Sequence, residues 1–121
     1  MNAFIYEAIV KRIIDGDSVV VDIDMGFDQW MVDQNIRFTD INAPEIRTSD
    51  LEEKERGYAA KNFVEDHLYI GQKVILDSTD YRSDRGKYGR IIGNIWFELD
   101  GEWKNLTQML LESDLAEYKK Y

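Results

Sequence analysis

The sequence predicts an α+β domain that is mostly β: a small closed barrel of five strands carrying two helices. Three observations predict it. Short β-branched and aromatic segments recur at the 8–12-residue spacing expected of small barrels, with turn residues between them. Two helix-capping patterns each precede an apolar run. Finally, 121 residues with one proline, no repeat and no linker make a single core, so residues 1–121 form one domain.

Residues 4–14 are rich in β-branched and aromatic side chains and read as the first strand. Asp15-Gly16-Asp17-Ser18 is a turn, and 19–24 resumes with apolar residues at 19, 21 and 23, which makes a hairpin. Gly26-Phe27-Asp28 is the next turn, and residues 30–39 form the third strand. Residues 40–48 are irregular around Pro44. Ser49-x-x-Glu52 fits a capping box, so a helix starts near Asp50 and runs to Gly71. Its apolar stripe is Ala59/Phe63, Ala60/Val64 and Val64/Leu68. Residues 73–76 and 90–99 are the fourth and fifth strands, separated by a polar, basic loop at 81–89. Asp100-Gly101 turns the chain into Trp103, and Asn105-x-x-Gln108 caps a second helix through Leu115 with Met109 and Leu110 inward. Five short strands with an inserted helix suit a barrel of the OB type.

Composition removes several chemistries. There is no cysteine, hence no disulfide scaffold and no thiol nucleophile. The one histidine, His67, is expected on the helix surface or its packing edge, without a chemical role. No apolar run is long enough to span a membrane, and the first residues do not read as a secretion signal. The expectation is a cytoplasmic protein without a membrane partner. Net charge is −9, which opposes non-specific attraction of nucleic acid. Locally the balance reverses: residues 82–90 hold Arg82, Arg85, Lys87 and Arg90 against Asp84 alone. Such a patch can bind phosphate with slow, salt-sensitive encounter.

Four segments could carry chemistry, and each also has a plain reading. Ile14-Asp15-Gly16-Asp17-Ser18 alone is a hairpin turn with solvated acids. In Ile36-Arg37-Phe38 the arginine points away from two apolar neighbours, toward solvent or toward a cleft at the barrel mouth. In Asp40-Ile41-Asn42-Ala43-Pro44-Glu45 the proline holds Ala43 extended, fixing the Ala43 carbonyl and Glu45 carboxylate; otherwise it is a turn before a helix. Asp84-Arg85-Gly86-Lys87-Tyr88-Gly89-Arg90 pairs glycines that admit close approach with arginine forks suited to phosphate, or is simply a basic loop.

Together these segments, followed by G-x-A-A-x-x-F at 57–63 and L-x-x-x-L-L-E-S-D-L-A at 106–116, resemble the staphylococcal nuclease (thermonuclease) family over nearly the whole chain. The resemblance implies an OB barrel and metal-dependent hydrolysis of phosphodiester bonds in DNA and RNA. It implies Asp17, Asn42 and the Ala43 carbonyl as metal ligands, with Asp15 supporting them. It implies Arg37 and Arg90 on the phosphate, Glu45 as the base or water-positioning residue, and Lys87 and Tyr88 lining the nucleotide pocket. A hard cation takes such oxygen ligands, calcium first and magnesium as the alternative. Nucleic acid is the expected partner, and a monomer the expected state.

The sequence departs from the family in three ways. Asn42 stands where the family carries a second acidic ligand, so weaker metal binding is expected. The chain stops at Tyr121, without the family's last C-terminal helix; Trp30, Trp96 and Trp103 are candidates to pack where that helix would lie. The loop at 46–56, with four acids beside the expected site, is expected to restrict access of nucleic acid, and the net charge of −9 departs from the family's basic type member. Two functions therefore compete: a compact metal-dependent nuclease, plausible for a phage or mobile element, and a non-catalytic OB module that binds nucleic acid or protein. A phage structural or inhibitor protein on the same scaffold is the third. Retention of Asp17, Arg37, Glu45 and Arg90 favours the first, while Asn42 speaks for the second.

Overall fold

The computed structural model describes residues 4–79 and 90–119. The elements run β1 (Ile5–Asp15), β2 (Ser18–Gly26), β3 (Gln29–Phe38), β4 (Ile41–Asn42), α1 (Leu51–His67), β5 (Lys73–Asp77), β6 (Arg90–Leu99), β7 (Glu102–Asn105), α2 (Leu106–Glu112) and β8 (Glu117–Tyr118). One sheet holds the strands in the order β3-β2-β1-β5-β6-β7. An additional β3–β6 pairing closes β1, β2, β3, β5 and β6 into the predicted five-strand barrel.

The closing pair is parallel, with Asn35 opposite Arg90, Ile36 opposite Ile91, Arg37 opposite Ile92 and Phe38 opposite Gly93. The other strand pairs of the sheet are antiparallel. Side chains alternate across a strand, so Ile36, Phe38 and Ile91 enter the barrel while Asn35, Arg37 and Arg90 share its outer face. The core adds Val10, Val19, Val21, Leu76, Ile95, Phe97, Leu106 and Leu110, all nearly solvent-free. Burying each such large side chain contributes about 1.5–3 kcal/mol. At the ends of β1 and β2 away from their connecting turn, Phe4, Tyr6, Met31 and Leu76 line an apolar cavity of about 280 Å³.

Several boundaries differ from the sequence expectation. The cap of α1 is Asp50, not Ser49: its carboxylate accepts from the Glu52 and Glu53 amides. The helix ends at His67, well before Gly71, and the Leu68 amide closes on the Val64 carbonyl. Gly71 instead serves the next turn, where its φ of +90° suits glycine. Asn105 caps α2 as expected, but the helix stops at Glu112: the Ser113 amide closes on the Met109 carbonyl and Asp114 turns left-handed. Its inward residues are Leu106 and Leu110, with Met109 half-buried. Trp30 and Trp103 are both about half exposed, on β3 and β7 respectively. His67 sits at the packing edge, its Nδ1 2.7 Å from the Phe63 carbonyl and its ring against Phe63 and Phe97. No helix among the described residues is long and apolar enough to cross a membrane.

Candidate active site

The site begins at the β1–β2 turn. Asp15 and Ser18 are paired across it, leaving Gly16 and Asp17 as the two loop residues. The Asp15 carboxylate accepts from the Asp17 amide at 3.1 Å and from the Ser18 hydroxyl at 2.9 Å, which fixes the turn from within. Gly16 is not in the left-handed region, so backbone freedom is not its reason. A Cβ there would lie 2.5 Å from the Ala60 Cβ and 3.0 Å from the Ala43 Cβ. Glycine at 16 lets α1 lie directly on the turn.

The same helix sets the loop after β4. A Cβ at Gly57 would fall 2.9 Å from the carbonyl oxygens of Pro44 and Glu45. The G-x-A-A pattern is therefore a docking face: Gly57, Ala60 and Val64 are the buried residues of α1, one per helical turn. Small residues bring the helix backbone against both segments that carry polar candidates.

Arg37 leaves β3 on its outer face, yet it is only 8% exposed. It is thus neither an ordinary surface base nor a core residue. Its Nη2 lies 3.4 Å from Asp17 Oδ2 and 3.5 Å from Asn42 Oδ1, and Nη1 lies 3.5 Å from the Phe38 carbonyl. The Ala43 amide donates to the same Asp17 Oδ2 at 2.9 Å. The Asp17 carbonyl accepts from the Phe38 amide at 2.9 Å, tying the turn to the end of β3. Asp17, Arg37, Asn42 and Ala43 therefore converge, although 26 positions separate the first from the last.

Glu45, two residues beyond Ala43, has an exposed side chain. Its amide donates to Glu53 Oε1 at 3.2 Å, so the start of α1 holds the loop. Arg90 opens β6 on the face that carries Arg37, diagonally across the closing pair. Lys87 and Tyr88 lie outside the described residues. A polar cleft of about 500 Å³ adjoins Asn42 and Ala43 on the side of α1, walled by Glu53, Arg56, Asp114 and Glu117.

Electrostatics sharpen the picture. Burial and the neighbouring Asp15 push the Asp17 carboxyl up to about 7, against the opposing pull of Arg37 and the Ala43 amide. Burial also acts on Asp15, but hydrogen bonds from Asp17 and Ser18, with the charge of Arg37, hold it below the usual range. Below about pH 7 the two acids thus carry one negative charge against one guanidinium. Among the described residues no three or more carboxylate or imidazole side chains converge as a metal cluster. A cation here would rest on one carboxylate, Asp17, with the neutral oxygens of Asn42 and the Ala43 carbonyl. That oxygen-only set fits a hard ion. The raised affinity of Asp17 for a proton fits it too, since the pocket lacks the positive charge that a second ionised acid needs.

The sequence model of the staphylococcal nuclease homologue family matches residues 35–121, most of the chain. The chain belongs to the staphylococcal nuclease family. It is 33% identical over 113 residues to a thermonuclease of Staphylococcus intermedius, and 33% identical over 112 residues to one of Staphylococcus hyicus. Each alignment takes in 93% of this chain but only 60% and 59% of the relative. The chain thus spans about three-fifths of the length of these staphylococcal nuclease relatives.

One residue of interest escaped the sequence reading. Asn35 lies directly opposite Arg90, and its Oδ1 is buried without a hydrogen-bond partner. Nothing in a single sequence marks it, because its neighbour comes from a strand 55 positions away.

Proposed function

We infer that the chain is a metal-dependent nuclease that hydrolyses phosphodiester bonds of DNA, RNA or both. The observation that carries the reading is Arg37: a buried guanidinium drawn onto the carboxylate that the Ala43 amide also contacts. Anion-binding and cation-binding groups are thereby adjacent, as a bridged phosphate requires. Asp17, the Asn42 amide oxygen and the Ala43 carbonyl would hold a divalent cation, calcium in first place. When bound, such an ion neutralises and orients the phosphate.

The remaining work falls to the chain's own groups. Arg37 binds a non-bridging phosphate oxygen with its planar fork. Arg90, on the same face, takes the extra negative charge as water adds to phosphorus. Glu45 positions that water and accepts its proton as the new P–O bond forms. The bond to the leaving oxygen then breaks, and that oxygen is protonated from solvent.

A second reading, a non-catalytic OB module, draws on Asn42 and on the acidic cleft wall of Glu53, Asp114 and Glu117. One experiment separates them. The protein is incubated with single-stranded DNA and RNA, with and without calcium or magnesium, beside Glu45→Gln. Cleavage that needs the cation and is lost in the variant supports the nuclease. Binding without cleavage in both proteins supports the module.

A further inference from the structure

Among the described residues two buried side-chain atoms have no hydrogen-bond partner: Asn35 Oδ1 and Thr39 Oγ1. They bracket Arg37 in sequence, two residues to either side. Leaving such an atom unpaired in the interior costs stability. A strand position opposite another strand would accept an apolar side chain without that cost. The Asn35 acceptor therefore calls for an explanation in what approaches it.

What stands nearest across the closing pair is Arg90. Asn35 and Arg90 are direct partners in the parallel register, and both side chains lie on the outer face. A guanidinium has five N–H donors in a fixed plane, and a bidentate phosphate engages two of them. An amide oxygen at the paired position can take another and set the plane of the fork.

We propose that Asn35 is a positioning residue for Arg90: its Oδ1, unpartnered in the free chain, accepts a guanidinium N–H when phosphate draws the Arg90 fork over the closing pair, and so sets the plane of that fork. The role of the phosphate rests on the nuclease reading; the Asn35–Arg90 coupling does not. Asn35 touches no reacting atom. It acts by restricting Arg90, as second contacts do for groups that must be placed within a fraction of an ångström.

The test is a double-mutant cycle in the Glu45→Gln background, so that binding is read without turnover. A fluorescein-labelled single-stranded DNA oligonucleotide is titrated by anisotropy in calcium. Asn35→Leu is expected to weaken binding about tenfold or more, the usual reach of one hydrogen bond to a charged group. The Asn35→Leu melting temperature should stay level or rise, because an unpaired buried polar atom has been removed. Asn35→Thr, which keeps an acceptor on a β-branched frame, should recover part of the affinity. In an Arg90→Ala background, Asn35→Leu should change nothing further. Equal loss with and without Arg90, or no loss with it present, overturns the proposal. So does failure of the Glu45→Gln protein to bind the oligonucleotide at all. Coupling observed while the otherwise unaltered chain cleaves nothing sustains the proposal and sinks the nuclease reading.

Discussion

Arg37 Nη2 lies 3.4 Å from Asp17 Oδ2, while Asp15 is held within the same turn. Two acids and one guanidinium thus act on one another at this turn, and burial favours the form in which one acid keeps its proton. The hydrogen-bonded Asp15 is the better anion, so Asp17 is the acid that stays protonated.

The first prediction concerns pH. Asp17 holds its proton in the folded chain to about pH 7, whereas an unfolded aspartate loses it near 3.8. Between those values the folded state binds more protons, so this group's contribution to stability falls as pH rises. Without divalent cations the melting temperature should drop between about pH 4 and pH 7. Asp17→Asn, which mimics the protonated acid and leaves Asp15 to face Arg37, should flatten that slope by several degrees, roughly 5 °C at neutral pH. Thermal melts in chelator across this range measure the difference between the two proteins. Equal slopes would show that Asp17 titrates normally.

A second prediction follows from the neutral amide at 42. Asn42→Asp puts a charged oxygen in place of the amide oxygen that lies 3.5 Å from Arg37, within the set proposed to hold the cation. Calcium affinity measured by titration calorimetry should rise about tenfold, since ligand charge tunes such sites over decades. Unchanged or weaker binding would remove Asn42 from the ligand set.

A third concerns Arg37 itself. Arg37→Lys keeps the charge but loses the fork that spans Asp17, Asn42 and the Phe38 carbonyl. Cleavage of single-stranded DNA should fall by about 10²–10³, the usual effect of removing one such donor. The melting temperature should fall only modestly, because a cation still faces the paired acids. A rate within a fewfold of the parent would separate Arg37 from the chemistry.

A fourth tests the docking of α1. Alanine normally stabilises a helix over glycine by about 1 kcal/mol. At Gly57 the sign should reverse, because the new Cβ meets two carbonyl oxygens of the Pro44–Glu45 segment at 2.9 Å. Gly16→Ala should be worse, since it strikes Ala60 at 2.5 Å, and overpacking of this kind costs about 1–3 kcal/mol. Gly16→Ala combined with Ala60→Gly should recover part of that loss in a denaturant midpoint. No recovery would mean that the two positions do not meet.

The five barrel strands and both helices were legible because their signals are local; the short β4–β8 pair was not, since its two strands lie far apart in the chain. Alternating apolar residues, turn glycines and capping side chains lie within a few positions of what they decide. The barrel's closure was not legible in that way, because it pairs Asn35 with Arg90. The burial of Arg37 was hidden for the same reason: its partners come from the β1–β2 turn and from β4. Gly16 was read as a turn former, but its purpose is the room it leaves for Ala60. Asp50 outcompeted Ser49 as the cap because its carboxylate reaches two amides at once. Motif order supplied what periodicity could not, bringing Asp17, Arg37 and Asn42 onto one list before any contact was seen.

The two arginines are neighbours only because the barrel shuts with a parallel seam. That seam joins positions 55 apart in the chain, a long search for a folding polypeptide. The hydrolysis proposed above depends on that seam: a chain whose β3 and β6 have not paired holds both arginines but not the shared face that sets them side by side.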